Sequence, residues 1–361
     1  MRSSFDLIRN RFGFGFMRLP MIGENVDIPQ TIKMVDAFLE NGFNYFDTAH
    51  GYIDGKSELA IKECLSSRYP RDRYLLANKL SFNFFQKEED ILPLFQQQLD
   101  ACGVEYFDFY LLHAMNANRL LHYEECRAFE ITQELKQNGK IRHIGMSFHD
   151  KSDVLDQILT KHPEIEFVQI QFNYVDFEDE KVQSRKCYEV CRKHGKPVLI
   201  MEPVKGGSLV NLPIAAQKVL DRLEGGSNAS YAIRFAAGFE GVIMVLSGMS
   251  TMEQMTDNLS FMKDFHPLNE TEMDTLERVC AIYRNQGLIP CTTCRYCTEV
   301  CPQNIPIPEL FSAVNAKRSE QEPLPITGAI PADCIKCGKC EESCPQNLKI
   351  RELLTVAAEE L

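Results

Sequence analysis

Across residues 1–265, short runs of β-branched and aromatic residues alternate with longer stretches whose apolar positions recur at about one helical turn. The short runs predict strands near 12–17, 43–47, 74–79, 107–112, 141–146, 166–172, 197–202 and 241–247. The longer stretches predict helices. In 29–41 the repeating positions are Ile32, Val35 and Phe38, and in 270–285 they are Met273, Leu276, Val279 and Ile282. Four predicted helices close on the same signal: Asn41-Gly42, Cys102-Gly103, Asn138-Gly139 and His194-Gly195. A glycine just past a helix adopts the left-handed conformation that other residues resist. Eight strands, each followed by a helix, predict an α/β chain built as a closed parallel (β/α)8 TIM barrel. An open doubly wound sheet is the second architecture. It lacks its signature here, because GFGFM (13–17) is not followed by the helix that a dinucleotide-binding glycine motif must open.

The chain has 361 residues, enough for a large barrel plus a small module, and 44% hydrophobic residues are ample for a core. A net charge of −12 argues against nucleic acid and anionic membranes as partners. No apolar run approaches the ~18 residues of a membrane span. The opening MRSSFDLIRN has no apolar core of an export signal, so the expected localisation is cytoplasmic.

Eight of the fourteen cysteines fall in the last 71 residues, in one pattern written twice. Cys291, Cys294, Cys297 and Cys301 read C-x2-C-x2-C-x3-C-P, and Cys334, Cys337, Cys340 and Cys344 repeat it 43 residues on. The repeat continues past the cysteines, CPQNIPIPEL (301–310) being answered by CPQNLKIREL (344–353). Zinc would need only four thiolates per site, for which paired C-x2-C halves suffice. The triple run closed by Cys-Pro is that of bacterial-type 4Fe–4S ligands, in which the fourth cysteine serves the other cluster. The segment resembles a two-cluster ferredoxin domain. That assigns Cys291, Cys294, Cys297 and Cys344 to one cluster and Cys334, Cys337, Cys340 and Cys301 to the other. The expected organisation is a barrel over 1–285 and a small C-terminal α+β ferredoxin-like iron–sulfur domain over 286–361. Cys64, Cys102, Cys126, Cys187, Cys191 and Cys280 share no ligand spacing with this set and read as packing residues.

In a (β/α)8 barrel, chemistry sits where strands end. The second predicted strand runs into FDTAHGY, giving Asp47 and Tyr52; the third ends at Lys79 and the fourth at His113. Each taken singly has an ordinary structural explanation. Together, at three successive strand ends, an acid, a phenol, an amine and an imidazole can converge. These residues, in this order, resemble the catalytic tetrad of the aldo-keto reductase family, and the likeness covers roughly residues 10–285. It implies hydride transfer from a nicotinamide to a carbonyl, with Tyr52 as general acid. A free phenol titrates at about 10, and a nearby lysine cation draws it toward the working range. Asp47 would hold the Lys79 charge, and His113 would orient the carbonyl oxygen.

The same resemblance implies NAD(P)H contacts at Ser147 in IGMS, Gln169 in FVQIQFNY, Met201, and Gly248, Met249, Gln254 and Asn258 in SGMSTMEQMTDN. The sequence departs from the family where Phe148 and His149 follow Ser147 in place of Asn, and where Met201 stands for a stacking aromatic. Gly248 and Gln254 are neutral where NADPH-selective members carry cations, and the next basic residue is Lys263. Phe82, Phe84 and Phe85, on the loop after Lys79, could form an aromatic wall or equally pack beneath that loop.

The resulting expectation is an NAD(P)H-dependent oxidoreductase acting on a small carbonyl compound. Its two 4Fe–4S clusters would be structural, sensing or electron-transferring. The alternative is an iron–sulfur electron-transfer protein whose barrel exchanges electrons with a redox protein partner.

Overall fold

The structure is a computed structural model describing residues 4–323 and 325–361. It divides into two compact units. The first contains residues up to Phe172, Asp176–Pro203 and Ile233–Pro267; the second contains Asn173–Val175, Val204–Ala232 and Leu268–Leu361. Spatial grouping puts 204–232 and 268–285 with the cysteine-rich stretch.

Among the described residues the strands are β1 (Phe12–Gly15), β2 (Met21–Ile22), β3 (Asn25–Val26), β4 (Tyr45–Asp47), β5 (Leu75–Leu80), β6 (Phe107–Met115), β7 (Ile141–Phe148), β8 (Phe167–Gln171), β9 (Val198–Met201) and β10 (Val242–Gly248). Eight of them close a parallel barrel in the order β1-β10-β9-β8-β7-β6-β5-β4, so the (β/α)8 expectation holds. Every residue of β5 and β6 is buried, as a parallel sheet covered on both faces requires. Gly42, Gly103, Gly139 and Gly195 all adopt positive φ, between 64° and 88°. The antiparallel β2–β3 hairpin is an addition that the hydrophobic pattern did not predict. Its strands are two residues long and largely exposed, too short to write an alternation.

Tyr45, Phe109, Phe167, Leu199 and Met244 fill the barrel interior. Room for them comes from Gly145, where a Cβ would stand 2.4 Å from the Phe167 ring. Below, Phe5 packs its ring 5.4 Å from Phe109 and 4.1 Å from His143, closing the N-terminal end of the strands. The polar interior is thereby left to the C-terminal end.

In the second unit, the 43-residue repeat becomes a repeat of structure: helices Ile307–Arg318 and Ile350–Glu360 each follow a Cys-Pro turn. Ile305, Leu310, Phe311, Val314, Ile350 and Leu354 pack between them with Cys297, Cys340 and Cys344. Arg318 and Glu360 pair across their ends. Among the described residues, the regular elements of 286–361 are helical, and the cysteine loops are held by turns. No helix among the described residues is long and apolar enough to cross a membrane.

Candidate active site

Asp47 ends β4, and Lys79 stands on the neighbouring strand two residues beyond its register partner Ala77. They meet: Lys79 Nζ donates to Asp47 Oδ1 at 2.6 Å and to the Thr48 carbonyl at 2.7 Å. Lys79 is 0% and Asp47 3% exposed. Burial pushes the Asp47 carboxyl up and the Lys79 ammonium down, each toward neutrality, and their contact opposes both shifts. Asp47 Oδ2 has no hydrogen-bond partner among the described residues.

The loop after β4 brings Tyr52 over this pair. Lys79 Nζ lies 4.7 Å from the Tyr52 ring centroid, and the His113 ring lies 6.0 Å from it, edge-on. Three consecutive residues in the left-handed region, Ile53, Asp54 and Gly55, turn the chain back beneath Tyr52. A buried polar network holds that turn. Glu58 accepts from Asn78 Nδ2 at 2.8 Å and lies 2.8 Å from His50 Nδ1. Gln98 Nε2 donates to Asn78 Oδ1 and to the Lys79 carbonyl. Sequence reasoning missed Glu58, Asn78 and Gln98, whose partners lie about 20 residues away along the chain.

His113 Nδ1 is 2.6 Å from Ser81 Oγ. Burial, the Lys79 charge, His149 and Arg119 hold the His113 imidazole well below its usual range, so it is neutral. Of the three phenylalanines after Lys79, Phe85 is buried against His122 and Tyr123, Phe82 lies under Arg119, and Phe84 is 45% exposed with its ring edge-on to His50. Phe85 is therefore packing rather than pocket wall.

The residues expected to hold a nicotinamide are distributed around the adjoining strand tips. Ser147 is buried in β7, its Oγ accepting from Ala114 N at 2.7 Å. Gln169, buried in β8, presents an Oε1 that has no partner among the described residues. A buried amide oxygen left without a donor is costly, and the amide N–H of a carboxamide would satisfy it. That is the observation by which the site fits a nicotinamide. Met201 is half-buried at the end of β9. Gly248 ends β10, Met249 is fully buried, and Gln254 accepts from Ser250 N to cap helix Met252–Lys263. Asn258 Nδ2 donates to Ser247 Oγ at 3.2 Å. Lys263 reaches Asn41 at the opposite end of the barrel strands. The cation near these tips is Arg18, from the turn after β1. Its stem lies about 3 Å from where a Gly248 Cβ would stand, and its guanidinium is 3.9 Å from Glu202. It lies outside 248–263 because it follows a different strand.

In the second unit, eight cysteines line two hollows. Cys291, Cys294, Cys297 and Cys344 line one with Ile307, Phe311 and Ile350. Cys301, Cys334, Cys337 and Cys340 line the other with Ile305, Ile335 and Lys336. The fourth cysteine of each run thus joins the other run's trio. Among the described residues, no three His, Cys, Asp or Glu side chains gather closely enough to hold a single metal ion. Four thiol-bearing residues spread around one hollow fit a bulky cluster instead.

A family model described as the aldo/keto reductase family matches residues 11–281, and one described as a 4Fe-4S dicluster domain matches residues 290–348. Among curated relatives, the NADH-specific methylglyoxal reductase of Escherichia coli (strain K12) is 24% identical over 283 residues, covering 65% of this chain and 84% of that protein. The glyoxal reductase of Bacillus subtilis (strain 168) is 27% identical over 207 residues, 57% and 67% respectively. Among solved structures, aldo-keto reductase AKR11C1 from Bacillus halodurans in its holo form superposes with a TM-score of 0.62 at 23% identity. It covers 74% of this chain and 91% of that one. An aldo-keto reductase from Klebsiella pneumoniae in complex with NADPH gives 0.60 at 21% identity over 76% and 90%. With eight parallel strands closed and the model matching from before β1 to beyond β10, the chain belongs to the aldo/keto reductase family of oxidoreductases, extended by an iron–sulfur dicluster domain.

Proposed function

We propose that the barrel reduces small carbonyl compounds with NAD(P)H, using Asp47, Tyr52, Lys79 and His113. One observation carries this reading: the buried Lys79–Asp47 pair lies under the Tyr52 ring with His113 beside it. A bound nicotinamide supplies a hydride to the carbonyl carbon. Tyr52 gives the proton to the carbonyl oxygen, and the Lys79 charge stabilises the phenolate left behind. Asp47 keeps that charge in a site from which water is excluded. A Ser81 hydroxyl that donates to Nδ1, 2.6 Å away, would leave the neutral His113 ring its proton on Nε2, the form that donates to the same oxygen. Gln169 and Ser147 would meet the carboxamide, and Arg18 would face the phosphates. Dicarbonyls such as methylglyoxal and glyoxal, named for the two relatives, are the first substrates to try. The test compares wild type with Tyr52→Phe on an aldehyde panel with NADH and NADPH. Equal inertness of both proteins on every substrate would overturn the proposal.

The eight C-terminal cysteines would hold two 4Fe–4S clusters. A cube moves one electron and a nicotinamide two. A second reading, that the clusters exchange electrons with a redox protein partner, is favoured by the loop around Cys337, where Ile335 is 60% exposed and Lys336 and Cys337 are exposed. Chemically reduced protein, mixed with an oxidised one-electron redox protein, separates the two. Cluster reoxidation at the turnover rate favours exchange, and unchanged absorbance favours a structural or sensing role.

A further inference from the structure

We infer that Arg119 is a positioning residue for His113: it locks the strained turn by which β6 aims the imidazole. This rests on the reductase reading for its meaning but not for its measurement.

At His113 the pairing of β6 with β7 loses register, between Leu112 and Met115. The cause is Ala114, which sits at φ 55°, in the left-handed region that L-residues resist. A turn of this kind persists only where its surroundings over-determine it. Here side chains replace the missing strand pairing. Tyr123 Oη accepts from His113 N at 3.1 Å, and its one proton lies between the carbonyls of Leu80 at 2.7 Å and His113 at 2.8 Å. Ser147 Oγ accepts from Ala114 N, and Arg119 Nη1 donates to Ala114 O at 2.8 Å.

Arg119 is placed for this by its own helix, Ala117–Glu125. Asn116 caps that helix by accepting from Arg119 N at 2.9 Å. Side chains on a helix lean toward its N-terminus, so Arg119 reaches back over the cap to the strand it has just left. Its guanidinium lies 4.0 Å over the Phe82 ring and is almost fully buried. A buried cation fixed beside the turn also acts on the imidazole itself. His113 is faced by Lys79 from β5, Ser81 just beyond that strand, Tyr52 from the loop after β4, His149 from beyond β7, and Arg119. Lys79, His149 and Arg119 all oppose its protonation, and burial with Arg119 holds His149 at about 3.

The experiment uses the full chain with its clusters and three variants, Arg119→Met, Arg119→Lys and Phe82→Leu. Histidine protonation is followed by NMR of carbon-13-labelled histidine, with the His113 signal assigned by a His113→Gln variant. Arg119→Met should lower kcat by about 10- to 100-fold, the scale of a small misplacement at a reacting centre. KM for the nicotinamide should stay within about twofold, because no cofactor contact is removed. The His113 titration should move to higher pH. Arg119→Lys should return the titration toward wild type while kcat stays low, since an ammonium restores charge without the planar fork. Phe82→Leu, a milder change should Arg119→Met fail to fold, should shift kcat in the same direction by about threefold or more. Wild-type kcat with a wild-type His113 titration in Arg119→Met, or in Phe82→Leu if that alone folds, overturns the inference. A wild type inert toward every carbonyl, with a shifted titration in Arg119→Met, would uphold Arg119 and sink the reductase reading instead.

Discussion

Replacing Asp47 by Asn tests the physics on which the site depends. Asparagine keeps the shape and an acceptor for Lys79 Nζ but removes the charge, leaving an ammonium at 0% exposure with only neutral oxygens, its 2.7 Å bond to Thr48 among them. Removing one partner of a buried pair costs about 3–5 kcal/mol. The retained acceptor puts Asp47→Asn near the lower figure, ~3 kcal/mol. At about 2–4 °C per kcal/mol for a domain of this size, the barrel transition should fall by roughly 6–12 °C at pH 7. The dependence on pH has a definite sign. Burial already lowers the folded-state Lys79 below its ordinary value, and the Asp47 charge is the largest influence opposing this. Between the lowered value and the unfolded value of about 10.4, the unfolded chain binds more protons, so stability rises with pH and is lost as pH falls. Without Asp47 the window widens downward, so the deficit should shrink as pH rises from 7 toward the wild-type folded-state value and level off above it. Thermal melts of wild type, Asp47→Asn and Asp47→Asn/Lys79→Met across that range supply the assay. The double variant, with no charge left to bury, should recover most of the lost stability while remaining inactive. A pH-independent deficit in Asp47→Asn, or no recovery in the double variant, would refute the reasoning.

Three further outcomes follow from particular contacts. Gln169→Leu removes a buried acceptor that has no partner among the described residues, so the apo protein should be no less stable while NAD(P)H binds about 5- to 10-fold more weakly by titration. Cys344→Ser should disturb the cluster of Cys291, Cys294 and Cys297, read as loss of about half the iron, with the remaining cluster's EPR signal unchanged on reduction. Gly206→Ala should lower iron incorporation at that same cluster. Gly206 has φ 64°, and a Cβ there would stand 2.4 Å from the carbonyl oxygen of Thr292, between Cys291 and Cys294.

The elements most legible in the chain were those whose cause is local. The apolar runs gave eight strands within a few residues of where they lie, because each run is buried in a parallel sheet. The four helix-closing glycines could be read because positive φ is a property of the residue itself. The cysteine runs were legible for a similar reason: thiolate spacing within one loop is set by the cluster it surrounds. What resisted reading was held by partners far apart in sequence. Glu58, Asn78 and Gln98 are unremarkable polar residues until the barrel stacks them, and Arg18 lies more than 200 residues from Gly248, against which it packs. Ala114 carries no sign of its left-handed backbone, since alanine adopts it only when neighbours compel it.

By itself, then, the order of residues determined that this chain closes a parallel barrel, that an acid, a phenol, an amine and an imidazole reach its strand tips, and that eight thiols stand in two identical runs. Only the tertiary structure decided that the amine is buried against the acid beneath the phenol. Periodicity and spacing report forces acting within a few residues. Desolvation, charge pairing and the aiming of a side chain arise only when distant segments exclude water from one another.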